Sequence, residues 1–261
     1  MKKYFERLGK KSKKAFEKKI DKDTKNRVLT HYALSINKYR KLILLQNKKD
    51  IDYAKKIGLK SNFISRLELD LNKINAIVNS IKSILKLKDP TNKILEQWKR
   101  PNGLKIKKVS VPIGVIGIIY ESRPNVTSDV SCLCFKSGNC VILKGGSEAY
   151  FTNKILSNLF RRSLKICKVD PNYVQFINIK NRKVVDYMLS KMTKYIDIII
   201  PRGGKNLVKK VQKLSNVPVI GHLEGICHTY IDKDANLNMA VKVLINAKLR
   251  NTAICLSLIH I

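Results

Sequence analysis

Residues 111–149 read VPIGVIGIIYESRPNVTSDVSCLCFKSGNCVILKGGSEA, and the fold class follows from how this stretch divides. A short apolar run over 115–120 passes into a polar loop, and a helical segment follows over 128–135. A second apolar run over 140–143 ends in Lys144-Gly145-Gly146-Ser147. Apolar runs of this length, bounded by glycine and proline, suit strands buried on both faces. The alternation continues downstream, with helices expected over 150–164, 184–192 and 205–214 and strands over 174–177 and 196–200. Short apolar strands separated by amphipathic helices predict an α/β fold built on a doubly wound parallel sheet.

Ligands of such sheets bind at the carboxyl ends of the strands. Two glycine pairs fall there. Lys144-Gly145-Gly146-Ser147-Glu148 follows one strand, and Pro201-Arg202-Gly203-Gly204-Lys205 follows another at a helix start. Missing side chains let a phosphate or ribose approach the main chain, and Lys144, Arg202 and Lys205 add positive charge. Ser147 and Glu148 offer hydroxyl or ribose contacts. Each pair alone reads equally as a turn, but two on one sheet favour an anionic cofactor. Neither is a G-x-G-x-x-G fingerprint, which disfavours an ordinary Rossmann dehydrogenase. Glu121-Ser122-Arg123-Pro124-Asn125 reads as a solvated loop. Placed in a cleft, Arg123 would hold an acyl phosphate or carboxylate and Asn125 would donate to a developing oxyanion. Cys255 by composition is a core thiol; as a nucleophile it needs its pKa lowered from about 8.5. The two loops and the late cysteine together suggest a dinucleotide-dependent thiol enzyme.

Upstream, residues 4–87 are helical in pattern, with apolar positions recurring at Leu29, Tyr32, Ala33 and Ile36 and at Ile74, Ile77, Val78 and Ile81. Asp89-Pro90 ends that run, because proline cannot continue a helix. A turn at Pro101-Asn102-Gly103 leads into a half-exposed strand over 104–111. From Pro218 two short strands and a helix over 237–247 read as the start of a second α/β domain. The expected division is 1–217 for N-terminal helices and a cofactor domain, and 218–255 for the beginning of a catalytic domain.

The chain has 261 residues, 44% hydrophobic, enough for a sizeable core. The lysine-rich first 26 residues lack the apolar segment of a secretory signal and do not fit the acid-poor, arginine-favouring pattern of a transit peptide. No apolar run approaches the roughly 18–20 residues of a membrane span, so a soluble cytoplasmic protein is expected. Six cysteines show no C-x-x-C spacing, and with the four histidines they form no recognisable metal-ligand set. The formal charge of +34 would suit nucleic acid or an anionic membrane. However, it is spread from Lys2 to Lys242 rather than gathered in a patch, and abundant lysine, asparagine and isoleucine point to AT-rich codon usage. No specific nucleic-acid partner is expected.

Six segments carry a resemblance over nearly the whole chain: RPNGL at 100–104, PIGVIGIIYESRPNVT at 112–127, KSGNCVILKGGSEA at 136–149, YIDIIIPRGG at 195–204, PVIGHLEGICHTYID at 218–232 and NAK at 246–248. In these the chain resembles the gamma-glutamyl phosphate reductases (glutamate-5-semialdehyde dehydrogenases) of the aldehyde dehydrogenase superfamily. The resemblance implies an aldehyde-dehydrogenase-like fold. It also implies NADPH-dependent reduction of L-glutamyl 5-phosphate through a cysteine thioester, in proline biosynthesis. It places Cys255 at the nucleophile's position, sets Lys144 to Glu148 and Arg202 to Gly204 on the cofactor side, and offers Glu224 as an acid or base, with His222 at a competing position. It further implies a homo-oligomer and possible contact with the upstream glutamate kinase. The sequence departs from the family in reading LRNTAI over 249–254. It also stops six residues after Cys255, where relatives continue. Residues 256–261, LSLIHI, are the in-frame translation of a transposon sequencing adapter, so read-through is the expectation, His260 carries no role, and the chain as given is expected to be inactive. The alternatives are another acylating aldehyde dehydrogenase or a noncatalytic, basic, nucleic-acid-binding remnant.

Overall fold

The computed structural model describes residues 1–121, 123–181, 183–221 and 229–249. Five helices come first: α1 (Lys2–Phe16), α2 (Lys22–Lys38), α3 (Arg40–Lys56), α4 (Ser61–Leu67) and α5 (Leu71–Lys86). Acidic side chains start two of them. Asp21 accepts from the Thr24 N–H at 2.8 Å and Asp70 from the Lys73 N–H at 2.7 Å, satisfying donors that a helix N-terminus leaves unpaired. An antiparallel hairpin follows, β1 (Ile94–Lys99) with β2 (Lys105–Val109).

The α/β part then alternates as β3 (Val115–Tyr120), α6 (Pro124–Lys136), β4 (Cys140–Gly145), α7 (Tyr150–Ile166), β5 (Val174–Phe176), α8 (Lys183–Lys191), β6 (Ile198–Arg202) and α9 (Lys205–Leu214). The helix α10 (Leu237–Leu249) comes last among the described residues. The four strands β3 to β6 are parallel, in the order β5-β4-β3-β6. Every residue of β3 and β4 is buried, as expected for central strands covered on both faces.

Connections β3–α6–β4 and β4–α7–β5 step one way along the sheet, while α8 carries the chain back across to β6. With right-handed crossovers, α6 and α7 cover one face and α8 the other. The N-terminal helices complete both layers. On the first face α2 and α5 pack against α6, and α2 and α3 against α7. On the second, α1 lies along β3 to β5 and Phe5 stacks on Tyr187 of α8 with ring centroids 4.7 Å apart. At the amino ends, Asp197 joins three elements: it accepts from the Val115 N–H at 2.7 Å and from the Lys13 ammonium at 2.6 Å. A nearly buried pair, Lys25 and Asp89 at 3.0 Å, ties α2 to the turn after α5.

The structure departs from the sequence reading in two places. Pro124 and Asn125 are not loop residues but the first turn of α6, which starts four residues earlier than the pattern suggests. Proline at the first helical position lacks only a donor that would be unpaired anyway, and its fixed φ suits the helix. Lys144 and Gly145 are the last residues of β4 rather than part of the following loop. Of the two short strands expected after Pro218, the start is seen as a bridge between Val219 and Ile199, and residues 222–228 lie outside the described residues.

Candidate active site

The sheet reverses its winding between β3 and β6, and their carboxyl ends flank the crevice where doubly wound sheets take ligands. Register puts the expected residues there. Tyr120 at the tip of β3 is opposite Gly145 on one side and Arg202 on the other. Both glycine loops therefore start from one edge.

The first loop is anchored from beneath. The Lys144 side chain is buried, and its ammonium donates back to the Gly145 carbonyl at 2.8 Å. Burial lowers its pKa, with the nearby Glu148 carboxylate opposing. Its charge is thus at the edge but folded onto the loop's own backbone. A Cβ at Gly145 would overlap the Asn153 amide and crowd the Tyr120 ring, so that glycine is required first by packing within the chain. Tyr120 Oη is 2.6 Å from Thr127 Oγ1, which donates to Asn153 Oδ1 at 2.8 Å. The buried Asn153 Nδ2 has no partner among the described residues. Gly146 precedes a 3₁₀ turn, Ser147–Ala149, in which Ser147 donates to the Glu148 carboxylate at 3.2 Å. A Cβ at Gly146 would collide with that carboxylate.

Behind this turn stands Asp50 of α3, 1% exposed. It accepts from the Phe151 N–H at 3.0 Å and from the Thr152 N–H and hydroxyl at 2.8 and 2.7 Å. The start of α7, and with it the first loop, is fixed by a residue a hundred positions upstream. Burial pushes the Asp50 pKa up, opposed by the Thr152 and Phe151 hydrogen bonds.

The second loop is held by Glu121. Its backbone N–H donates to the Arg202 carbonyl at 3.1 Å, and its carboxylate accepts from the Gly204 N–H at 2.8 Å. Gly204 is the N-cap of α9 and supplies no side-chain cap, so the carboxylate occupies the positive end of that helix. A Cβ at Gly203 would lie 2.7 Å from the Glu121 carboxyl carbon. Arg202 is exposed beside it.

Arg123 is the N-cap of α6, half-buried and engaged. Asn125, in the first turn and exposed, donates to Asp129 at 3.1 Å, while Asp129 accepts from Ser80 of α5 at 2.9 Å. The structure thus gathers Lys144, Gly145, Gly146, Ser147, Glu148, Arg202, Gly203 and Gly204 at one edge, with Arg123 and Asn125 on the helix that leaves it. Cys255, Glu224 and His222 lie outside the described residues. The cysteines at 132, 134 and 140 are buried, and burial pushes their thiols up, Cys134 to about 12. Cys167 is half-buried and shifts the same way. None of these four suits a thiolate nucleophile at neutral pH. Sequence reasoning gave no role to Glu121, Thr127, Asn153 or Asp50. An acid directly after an apolar strand was the available signal for Glu121. For the others the partners are too distant in sequence to show.

The aldehyde dehydrogenase family pattern matches residues 39–258. The chain is 45% identical over 233 residues to the gamma-glutamyl phosphate reductase of Brucella anthropi, covering 89% of this chain and 55% of that protein. It is likewise 45% identical over 237 residues to that of Nitratiruptor, covering 91% and 57%. The chain therefore spans little more than half the length of the curated relatives it matches. Among solved structures, gamma-glutamyl phosphate reductase from Thermotoga maritima superposes with a TM-score of 0.89 at 36% identity, over 95% of this chain and 60% of that one. An acetylating aldehyde dehydrogenase from Geobacillus thermoglucosidasius superposes at 0.66 with 17% identity, over 98% and 54%, which speaks for the fold alone. By its sequence pattern and its fold, the chain belongs to the aldehyde dehydrogenase family.

Proposed function

We propose that the protein to which this chain belongs reduces L-glutamyl 5-phosphate to L-glutamate 5-semialdehyde with NADPH, releasing phosphate, as a step of proline biosynthesis. The observation that carries this reading is the similarity to gamma-glutamyl phosphate reductases, 45% identical across nine-tenths of the chain. Its support in the geometry is the shared edge at which Lys144, Arg202 and both glycine pairs meet. The residues there fit a dinucleotide. Gly204 leaves the start of α9 open for main-chain N–H groups to meet phosphate, in competition with the Glu121 carboxylate that accepts from the Gly204 N–H at 2.8 Å.

In this reading Lys144 to Glu148 hold the ribose end and Arg202 to Gly204 the phosphates, by main-chain N–H groups and charge. Bound NADPH supplies the hydride. The Cys255 thiolate attacks the acyl carbon of the substrate, the carbon–oxygen bond to phosphate breaks, and a thioester remains. Its reduction releases the aldehyde and returns the thiolate. Arg123 draws the acyl phosphate by charge, Asn125 donates to the developing oxyanion, and Glu224 moves a proton at the reacting centre. The split at residue 217, between a cofactor domain and the start of a catalytic domain, belongs to the same proposal. So do a cytoplasmic location, a homo-oligomer and contact with a glutamate kinase. Among the described residues no helix is long and apolar enough to cross a membrane.

The test uses the complete gene product and the reverse reaction, reduction of NADP by glutamate semialdehyde in the presence of phosphate. Phosphate-dependent turnover is expected, with a loss of about a thousandfold or more in Cys255→Ala. Turnover that requires coenzyme A instead of phosphate would reassign the substrate. Retention of activity in the cysteine variant would remove the thioester step. The chain 1–261 alone is expected to show no turnover in this assay.

A further inference from the structure

On the side of the sheet away from β6, β5 is the outermost strand among the described residues. Alongside it, between α1 and α7, lies a cavity of about 340 Å³. Its walls bring together Arg7 and Lys11, one turn apart on α1, with Ser157 and Arg161, one turn apart on α7. Asn158 and Asn178 add amide groups, and no aspartate or glutamate is among the described lining residues.

Two features distinguish this cavity from an ordinary basic surface. Arg161 is half-buried and fixed, because its Nη1 donates to the carbonyls of Pro171 and Val174, each at 2.6 Å. A guanidinium has five N–H donors in a rigid plane, so this anchoring leaves Nε and Nη2 of an immobilised group for another acceptor. The second feature is Ser157. It is fully buried, it lines the cavity, and its Oγ has no hydrogen-bond partner among the described residues. A buried hydroxyl without a partner is unfavourable and calls for an occupant that completes it. Asp170 also acts on Arg161, but Arg7, Lys11 and Arg161 outnumber it, and the balance favours an acceptor with negative charge.

We propose that this cavity binds a small oxyanion, a phosphorylated or carboxylated metabolite of about amino-acid size. Its volume falls within the range of small-molecule sites, roughly 300–1,000 Å³, and exceeds what a single inorganic ion fills. The fixed Arg161 plane gives direction to the charged group, Arg7 and Lys11 close over it from α1, and the Ser157 hydroxyl donates from below. An occupant would tie α1 to α7 across the edge of β5, and so bind the N-terminal helix to the sheet.

The probes are inorganic phosphate and malonate, each titrated into the complete gene product by calorimetry and thermal unfolding, with chloride adjusted to hold ionic strength constant. Saturable binding of one or both is expected, with a rise in Tm. Phosphate alone would identify a phosphoryl ligand, and malonate alone a carboxylate. The double variant Arg7→Gln/Lys11→Gln changes only exposed side chains and is expected to weaken binding about tenfold or more. Ser157→Ala should raise the Tm of the free protein by removing the unpaired hydroxyl, and at the same time shrink the shift that the anion produces. Absence of any saturable effect beyond that of chloride would overturn the proposal, as would an affinity unchanged in the double variant. If Arg202→Gln abolishes binding and the α1 variant does not, the anion sits between β3 and β6 and the proposal fails.

Discussion

Asp50 is a single side chain on which the first glycine loop depends. It satisfies three donors at the start of α7 from within the core. Asp50→Ala leaves those donors without their acceptor and should cost about 2 kcal/mol in urea unfolding. The pH dependence of that loss has a definite sign. Burial holds the folded-state pKa of Asp50 above its ordinary value, so the folded protein binds the proton more tightly than the unfolded chain. The stability difference between wild type and Asp50→Ala should therefore be largest below about pH 4 and shrink as pH rises through the folded pKa. A difference that grows over that range would mean that burial does not dominate at this site. Gly145 shows a different dependence. Its missing Cβ makes room for the Asn153 amide, which in turn is held by Thr127. Gly145→Ala should destabilise by about 1–3 kcal/mol through overpacking. In an Asn153→Ala background most of that cost should vanish, because the overlapping atoms are gone. Equal costs in the two backgrounds would place the strain elsewhere.

The joint between β3 and α9 is made by Glu121, which places a carboxylate at the N-terminus of α9. In Glu121→Gln the helix loses a charge complementary to its dipole, and stability should fall by about 0.5 kcal/mol. The same change removes negative charge from the edge proposed for the cofactor phosphates, so NADPH binding to the complete protein should tighten. The two measurements are expected to move in opposite directions, and weaker nucleotide binding would show that Glu121 supports the cofactor rather than competing with it. Elements of this kind were legible in the sequence to different degrees. The strands β3 to β6 could be read because burial on both faces demands continuous apolar runs, and their tips then brought Gly145 and Arg202 together by register. The strand β1 could not, since all six of its residues are exposed and its ILEQWK sequence has no buried face to impose alternation. The early start of α6 was hidden by two charges and a proline that looked like a loop. The Glu121 and Asp50 contacts span 83 and about a hundred residues, and no local pattern encodes such pairings. For Cys255 and Glu224 the assignment rests on motif order.

Over the whole molecule, 53 lysines and arginines face 19 acids. The cations outnumber the acids available to pair with them, and two of the ion pairs present, Lys108–Glu96 and Lys210–Asp186, are about half-exposed. Exposed pairs of this kind contribute little to stability. The long-range term is then self-repulsion, which opposes the compact state more than the expanded chain. Screening weakens it, since the Debye length shortens from about 30 Å at 0.01 M salt to about 10 Å at 0.1 M. The Tm of the chain should therefore rise between 0.01 and 0.1 M potassium chloride. The more buried Lys25–Asp89 pair, 3% and 13% exposed, is largely shielded from this change. Asp89 remains below its ordinary pKa there: burial pushes it up, but the Thr91 hydrogen bonds and Lys25 together outweigh that. The same salt series separates the two meanings of the charge. A charge diffused over helix surfaces predicts DNA binding that is weak, indifferent to sequence and lost across the interval in which stability rises. A functional nucleic-acid site would instead retain a sequence preference at 0.1 M salt, and a Tm that falls with added salt would show that ion pairs, rather than repulsion, set the balance.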